Sequence, residues 1–237
     1  MKRVFLLAAS AFALAQLGAA ASCSSGSLAS YVALGSAGCM IGGDTFYNFQ
    51  ILTGISGGSP INPSAVTLST SGSTLSPVLT ISTSQSASGG VPLEAIFTYD
   101  VSGSIYKGIS ASLSGSSETV DGGVTGLVNF CEGGSFDSSG VSGCAQPNGS
   151  LLTLDGIQNS DMGTFANVSF LNVTDDLTID PGTAGTASGG TLTNSFTAVP
   201  EPLTSTLMGV GLVLAGSFRF LSIRRRTLYV AREQSEE

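Results

Sequence analysis

The run Gly54-Ile55-Ser56-Gly57-Gly58 matches Gly-x-Ser-x-Gly, a pattern that holds a reactive serine on a sharp turn. Such a serine needs a general base, usually histidine, and this chain of 237 residues contains no histidine. No helical pattern follows the run either. We therefore interpret it as a glycine-rich loop and assign no catalytic residue. The absence of histidine also excludes zinc sites built on imidazole.

Acidic residues are the other side chains that could do chemistry. Asp175, Asp176 and Asp180 lie close together and carry the oxygen ligands that calcium prefers, although not in the order of an EF-hand loop. We name them as calcium candidates and predict no other cofactor. A pair of carboxylates could also hydrolyse a polysaccharide, but no spacing selects an acid and a nucleophile. The chain also lacks tryptophan for stacking on sugar rings. A secreted polysaccharide-acting hydrolase is thus the alternative to a non-catalytic protein.

The N-terminus has the order of a secretory signal peptide. Residues 1–3 give a positive start, residues 4–17 are mostly apolar, and Ala19-Ala20-Ala21 supplies the small residues that precede cleavage. We predict a signal peptide over residues 1–21 and signal peptidase as a partner. Cys23 lies close enough to raise a lipoprotein alternative, but the residues before it lack the leucine of a lipobox.

A second apolar run lies near the C-terminus. Residues 203–223 match the roughly 20 residues of a transmembrane α-helix. Arg219 is near enough to the end of the run for its guanidinium to reach the interface. Arg224, Arg225 and Arg226 follow and retain that end in the cytoplasm. We predict a transmembrane helix in contact with lipid, a membrane stop at the three arginines, and a short cytoplasmic tail over residues 224–237.

The sequence Val199-Pro200-Glu201-Pro202, the apolar run after it and the arginine cluster together resemble the PEP-CTERM sorting signal. Exosortase-type membrane proteases recognise this signal in bacteria that build extracellular polysaccharide. The resemblance covers about the last 30 residues. It implies that residues 200–202 are the recognition and processing element, that an exosortase is a partner, and that the protein reaches the cell surface or extracellular matrix. The family usually ends near the basic cluster, whereas residues 227–237 continue here.

Residues 22–199, between these ends, are enough for one extracytoplasmic domain. They contain twelve acidic residues and a single basic residue, Lys107, which gives a formal charge of −11. A surface of that sign repels phosphate backbones, so nucleic acid is excluded as a partner.

Short β-rich runs recur through this domain between Gly, Ser and Pro clusters. They predict an all-β fold, a single antiparallel β-sandwich that is jelly-roll-like. Residues 93–101 alternate apolar with polar, and Ser102-Gly103 predicts a turn that joins them to residues 105–113 in a hairpin. Only residues 27–34 are predicted to be helical. The other predicted strands are residues 46–52, 65–69, 75–83, 124–130, 151–154, 164–173, 177–179 and 191–197.

Four cysteines, an even number in an exported chain, predict two disulfides with three possible connectivities. We favour Cys23 with Cys39 and Cys131 with Cys144, since these pairs close short loops. Each bridge is expected to stabilise the fold by about 3 kcal/mol. No Cys-x-x-Cys is present, so structural bridges are favoured over redox catalysis.

The sequence thus predicts a non-catalytic exported protein that is tethered by its tail, processed and displayed. Its β domain would bind extracellular polysaccharide or form structure. Ser- and Thr-rich strands, with the PEP-CTERM resemblance, also raise adsorption to ice or another surface. The sequence offers no regular Thr-x-Thr ladder in support of that role.

Overall fold

A computed structural model describes residues 20–53 and 57–200. Several predicted features lie outside the described residues. They are the signal peptide up to residue 19, residues 54–56 of the serine motif, residues 201 and 202 of the sorting motif, the membrane span over residues 203–223 and the arginine cluster at 224–226. In the part of the chain that the structure describes, no helix has the length and apolar character needed to cross a bilayer.

The described residues form an all-β fold, as predicted. Twelve strands join in one sheet, and every strand pairing is antiparallel except that of β4 with β8. The strands are β1 Gly26–Ser27, β2 Cys39–Ile41, β3 Asp44–Ile51, β4 Ser59–Pro60, β5 Val66–Ser73, β6 Ser76–Thr83, β7 Ser86–Ser88, β8 Leu93–Thr119, β9 Gly123–Glu132, β10 Asn148–Leu154, β11 Ser160–Asp180 and β12 Thr186–Val199.

The predicted helix is present in shortened form as α1, Leu28–Val32. Ser27 caps its N-terminus, because the Ser27 hydroxyl accepts a hydrogen bond from the Ser30 amide at 3.2 Å. Leu28 and Tyr31 are the buried residues of the helix. A single turn of 3-10 helix, Pro63–Ala65, precedes β5.

Two long strands organise the sheet. Strands β8 and β11 pair along most of their length, with register shifts between Thr164 and Phe170. The first half of β8 pairs with β3 and the second half with β12. Each long strand therefore runs through two layers. The first layer contains β2, β3, the start of β8, the end of β11, β9 and β10, and the second contains β1, β5, β6, β12, the end of β8 and the start of β11.

The predicted hairpin at Ser102-Gly103 is wrong, because β8 continues through this point. A Cβ at Gly103 would lie 2.8 Å from Asp44 Oδ1 and 2.9 Å from the Gly43 carbonyl oxygen. The glycine therefore permits close approach of β3 rather than a reversal of the chain. The two predicted strands over residues 164–173 and 177–179 are likewise one strand, β11.

Apolar and aromatic side chains from the two layers meet in one core. Phe46 of β3 and Phe196 of β12 pack edge to face with ring centroids 5.5 Å apart. Leu192 of β12 fills the space beside Gly126 of β9, where a Cβ would lie 2.7 Å from Leu192 Cδ1. The two layers thus face each other, which is consistent with a sandwich.

Candidate functional site

A polar cleft of about 350 Å³ opens on the outer side of the first layer. It lies between β3 and the loop over residues 133–147 that joins β9 to β10. Polar side chains from three strands form its floor, and one aromatic side chain from the loop stands at its wall. The residues that line the cleft include Asn48, Gln50, Thr98, Asp100, Phe136 and Asn172.

The floor of the cleft is a carboxylate held by two amides. Asp100 of β8 and Asn172 of β11 are direct partners across the two strands. Asn172 Nδ2 donates to Asp100 Oδ1 at 2.8 Å, and Asn48 Nδ2 donates to Asp100 Oδ2 at 2.7 Å. Asp100 and Asn172 are only 8% and 7% exposed. Both carboxylate oxygens are thus fixed in position by neutral donors.

A bulge in β3 aims Asn48 at this carboxylate. The register of β3 with β8 shifts between Tyr47 and Gln50, so Asn48 and Phe49 together oppose Tyr99. Asn48 has a φ of 55°, a left-handed conformation that asparagine tolerates better than most residues. Phe49 turns inward and stacks on Tyr99 with centroids 5.2 Å apart. The extra residue therefore places one side chain in the core and the other in the cleft.

The loop over residues 133–147 covers part of the outer face and carries Phe136. The Phe136 amide donates to Asn172 Oδ1 at 3.0 Å, which ties the loop to the floor of the cleft. Gly140, with a φ of 71°, lies so near the sheet that a side chain there would meet Leu52 and Thr174. A glycine is therefore required for the loop to reach the sheet.

Both favoured disulfides are present in the structure, so the predicted pairing is confirmed. The bridge Cys131–Cys144 joins the end of β9 to the loop that forms the wall of the cleft. The bridge Cys23–Cys39 joins the N-terminal segment to β2. One bridge thus supports the cleft and the other supports the start of the domain.

A second carboxylate, Asp137, lies at the rim of the cleft. The hydroxyl and the amide of Ser139 both donate to Asp137 Oδ1, and these hydrogen bonds lower the pKa of Asp137 below its ordinary value. A general acid needs a raised pKa so that it still holds a proton at neutral pH. Asp137 is therefore poorly suited to that role.

The three calcium candidates do not come together. Asp175 faces the core, is fully buried, and accepts from Asn194 Nδ2 at 2.7 Å. Asp176 lies on the opposite side of β11, as neighbours on a strand must, and accepts from the Thr178 hydroxyl. Asp180 accepts from the Gly182 amide. Across residues 20–53 and 57–200, no three His, Cys, Asp or Glu side chains are grouped to hold a metal ion.

Sequence reasoning missed the cleft residues. Asp100 was recognised only as the polar member of an alternating strand, and Asn172 was hidden in an apolar run. The available signal was Asn48, which interrupts an aromatic stretch, Phe46 to Phe49, where a regular strand would alternate. Such an interruption indicates a bulge, and β-bulges often lie beside functional sites.

No protein-family model and no curated protein matches this chain. Among solved structures it is similar to TmCBM61 in complex with beta-1,4-galactotriose, with 7% sequence identity over 53% of this chain and 86% of that chain. The TM-score is 0.24, which is too low to carry an argument about fold or ligand.

Proposed function

We propose that this protein is exported and displayed at the cell surface or in the extracellular matrix. We also propose that its β domain is a jelly-roll-like sandwich that binds a neutral saccharide in the cleft without cleaving it. The floor of the cleft is the observation that carries this proposal. Sugar hydroxyls both donate and accept. Asp100 can accept a further hydrogen bond and the second Nδ2 hydrogen of Asn48 can donate one, whereas Asn172 is already bonded to Asp100, Thr98 and the Phe136 amide. Phe136 adds an apolar wall for one ring face.

Charge favours a neutral ligand. The cleft contains two carboxylates, Asp100 and Asp137, and none of the described residues that line it is basic. The domain around it carries a formal charge of −11. A uronate or sulfated polymer would therefore be repelled, whereas a neutral sugar would not.

The hydrogen bonds made by the two carboxylates support binding without hydrolysis. Glycoside hydrolysis needs one carboxyl that holds a proton and one free carboxylate. Both oxygens of Asp100 already accept amide hydrogen bonds, and the pKa of Asp137 is lowered by Ser139. The alternative, a secreted hydrolase, therefore lacks a suitable acid in this cleft.

Substitution in the cleft tests saccharide binding. We expect Asn48→Ala and Phe136→Ala each to weaken binding of a neutral polysaccharide by about tenfold, since each removes roughly one net hydrogen bond or apolar contact. The full chain is titrated calorimetrically against a panel of neutral glucans, galactans and mannans, with alginate as the charged comparison. Asn167→Ala, an exposed asparagine of β11 outside the cleft, is the matched control.

Two results would contradict this proposal. In one, Asn48→Ala and Phe136→Ala bind as tightly as the wild type, which would place the ligand elsewhere. In the other, the wild type releases new reducing ends and Asp100→Asn does not, which would make the protein a hydrolase.

Export and display rest on the terminal segments and on the disulfides. Two disulfides suit an oxidising compartment outside the cytoplasm. Val199 is the last residue of β12 and Pro200 follows it directly, so the proposed processing element begins where the domain ends. In this proposal signal peptidase removes the leader, the C-terminal segment enters lipid, and an exosortase-type protease cuts near residues 200–202.

Mass analysis of the C-terminus tests the sorting step. We expect the wild type to lose its tail in cells that contain the exosortase, and Pro200→Ala with Glu201→Ala to keep it, because the recognition element would be gone. A matched control replaces Pro181, which lies in a turn outside the motif, with Ala. A tail that stays intact to Glu237 with and without the exosortase would refute processing.

A further inference from the structure

Two grooves lie beside the last residues of β12. The first has a volume of about 420 Å³, and the residues that line it include Leu75, Ser104 and Val199. The second has a volume of about 470 Å³, and the residues that line it include Lys107, Met162, Phe165 and Thr197. We call the part of the domain that carries these grooves the Val199 end.

Apolar side chains are exposed on both sides of β12 at the Val199 end. Leu75 lies in the turn before β6, and its carbonyl oxygen accepts a hydrogen bond from the Ala198 amide at 3.0 Å. On the other side, Ile105 of β8 pairs with Val199. Leu75 is 45% exposed, Ile105 is 40% exposed, and Met162 in the second groove is 71% exposed. An interfacial environment would remove this apolar surface from water.

Charge is distributed unevenly between the two ends of β12. Lys107, the single basic residue among residues 22–199, lies at the Val199 end. Among the described residues that line the two grooves, none is acidic. Asp44 lies nearby, but it is fully buried and its Oδ1 accepts from the Ser104 amide. At the opposite end of β12, which we call the Thr186 end, four acidic residues lie around the start of the strand: Glu118, Asp121, Asp155 and Asp180.

The length of β12 keeps these two groups of charges apart. The strand has 14 residues, so about 40 Å of strand separates its ends. The Debye length is about 8 Å at physiological ionic strength, so the four acidic residues contribute little to the potential at the Val199 end. A negatively charged surface is therefore repelled by the Thr186 end and attracted by Lys107 at the Val199 end.

A short link joins the Val199 end to the C-terminal apolar run. Only residues 200–202 separate the end of β12 from the run over residues 203–223. The four residue steps from Val199 to Leu203 span at most about 14 Å. The headgroup layer on each side of a bilayer is about 5–7 Å thick. If the run enters lipid, as proposed above, the link holds the Val199 end against the headgroups.

We infer that the Val199 end rests on the surface of an anionic lipid bilayer. The Lys107 ammonium pairs with lipid phosphate, and Leu75 and Ile105 contact the boundary between headgroups and acyl chains. The inference rests on the proposed function, since it requires the C-terminal segment to be in lipid. A lysine stem can follow apolar surface while its ammonium reaches a phosphate. One basic residue near an anionic membrane strengthens the contact by about fivefold. The acidic Thr186 end then points away from the membrane.

Quenching by labelled lipid tests the inference. The full chain carries a fluorophore at Ile105→Cys or, for comparison, at Val120→Cys, which is 87% exposed and directly follows the end of β8. The four native cysteines are paired, so the introduced thiol is the one that reacts. The protein is inserted into vesicles of phosphatidylcholine mixed with phosphatidylglycerol that contain a headgroup quencher. We expect the label at position 105 to be quenched at least threefold more strongly than the label at position 120.

Charge variants identify the contact. We expect Lys107→Gln to lower quenching at position 105 at least twofold on the mixed vesicles and to have no effect on phosphatidylcholine alone, which has no net charge. Ile157→Glu changes the net charge by the same amount in an 84% exposed turn near the Thr186 end, and should behave as the wild type. Leu75→Ser should lower quenching on both kinds of vesicle. All three side chains are exposed, so the variants should melt at the wild-type temperature.

Flotation with the vesicles separates this inference from the membrane anchor. If the protein floats but the two labels are quenched equally, or if Lys107→Gln has no effect on the mixed vesicles, the inference is overturned and the anchor stands. A protein that does not float overturns both. Shielding of the label at position 105 that rises with protein concentration, and not with phosphatidylglycerol, would assign this surface to a second copy of the chain and would also overturn the inference. Asn48→Ala should leave the quenching unchanged, because the cleft lies elsewhere.

Discussion

Replacing Asp175 with Asn is expected to remove a large part of the pH dependence of stability. Asp175 is fully buried between the layers, and this burial raises its pKa to about 7, although hydrogen bonds from Asn194 and Tyr99 act in the opposite direction. Asn194 Nδ2 contacts both carboxylate oxygens, at 2.7 and 2.9 Å. An asparagine at position 175 keeps the shape of the side chain and can still accept from Asn194.

The sign of the change in the free energy of unfolding with pH follows from proton binding. Below about pH 4 both the folded and unfolded states hold the proton on Asp175, and above about pH 7 neither does. Between these values only the folded state holds it, so the free energy of unfolding falls as pH rises through this window. The fall is about 4 kcal/mol from this group, since each pKa unit corresponds to about 1.36 kcal/mol. Asp175→Asn should lack this loss and be more stable than the wild type at pH 8.

Denaturant unfolding at intervals from pH 4 to pH 8 measures the effect. Other carboxyls contribute in the wild type and the variant alike, among them Asp176, whose pKa is also raised by burial. The difference between the two proteins therefore reports Asp175 together with its charge repulsion of Asp176. Asn167→Ala, which changes an exposed side chain that does not titrate, should retain the wild-type slope. An unchanged slope in Asp175→Asn would show that the buried carboxyl does not hold its proton in the folded state.

Removing the Cys131–Cys144 bridge is expected to cost both stability and ligand binding. Cys131→Ala with Cys144→Ala frees a loop of the size for which the chain-entropy argument gives about 3 kcal/mol. Phe136 lies within that loop, and its amide is bonded to the floor of the cleft. Denaturant unfolding should therefore show the loss of stability, and saccharide titration should show a loss of affinity of at least tenfold.

The other bridge provides the control. Cys23→Ala with Cys39→Ala opens a loop of similar length that does not carry the wall of the cleft. It should lower stability by a similar amount, about 3 kcal/mol, and leave the affinity near the wild-type value. Equal loss of affinity in both double variants would mean that binding follows overall stability rather than the position of the loop.

The all-β fold and the disulfides could be predicted because they depend on local information. The alternation of Leu93 to Val101 encodes an inner and an outer face, and β8 buries Phe97, Tyr99 and Val101 as that pattern requires. The cysteine pairing followed from loop length and proved correct. In these cases the contacts join residues that are close in sequence, or the residue pattern repeats along the strand.

The cleft depends on contacts between distant residues, so a linear pattern does not reveal it. Ser102-Gly103 has the composition of a turn, yet only the packing of β3 shows that the glycine makes room for Asp44. Asp100 and Asn172 are 72 residues apart and meet through strand register. The three calcium candidates show the converse: the pleat puts Asp175 on the opposite face from Asp176, and Asp180 lies four residues further along β11.

The position of β12 determines how the domain would respond to tension on its C-terminal end. Residues 191–195 are paired with β6 on one side and β8 on the other, and β12 ends at Val199. A pull applied at Pro200 acts along this strand, while the ladder hydrogen bonds run across it. Such a pull loads β12 in shear. Extraction of β12 therefore requires many hydrogen bonds to break together and not one after another.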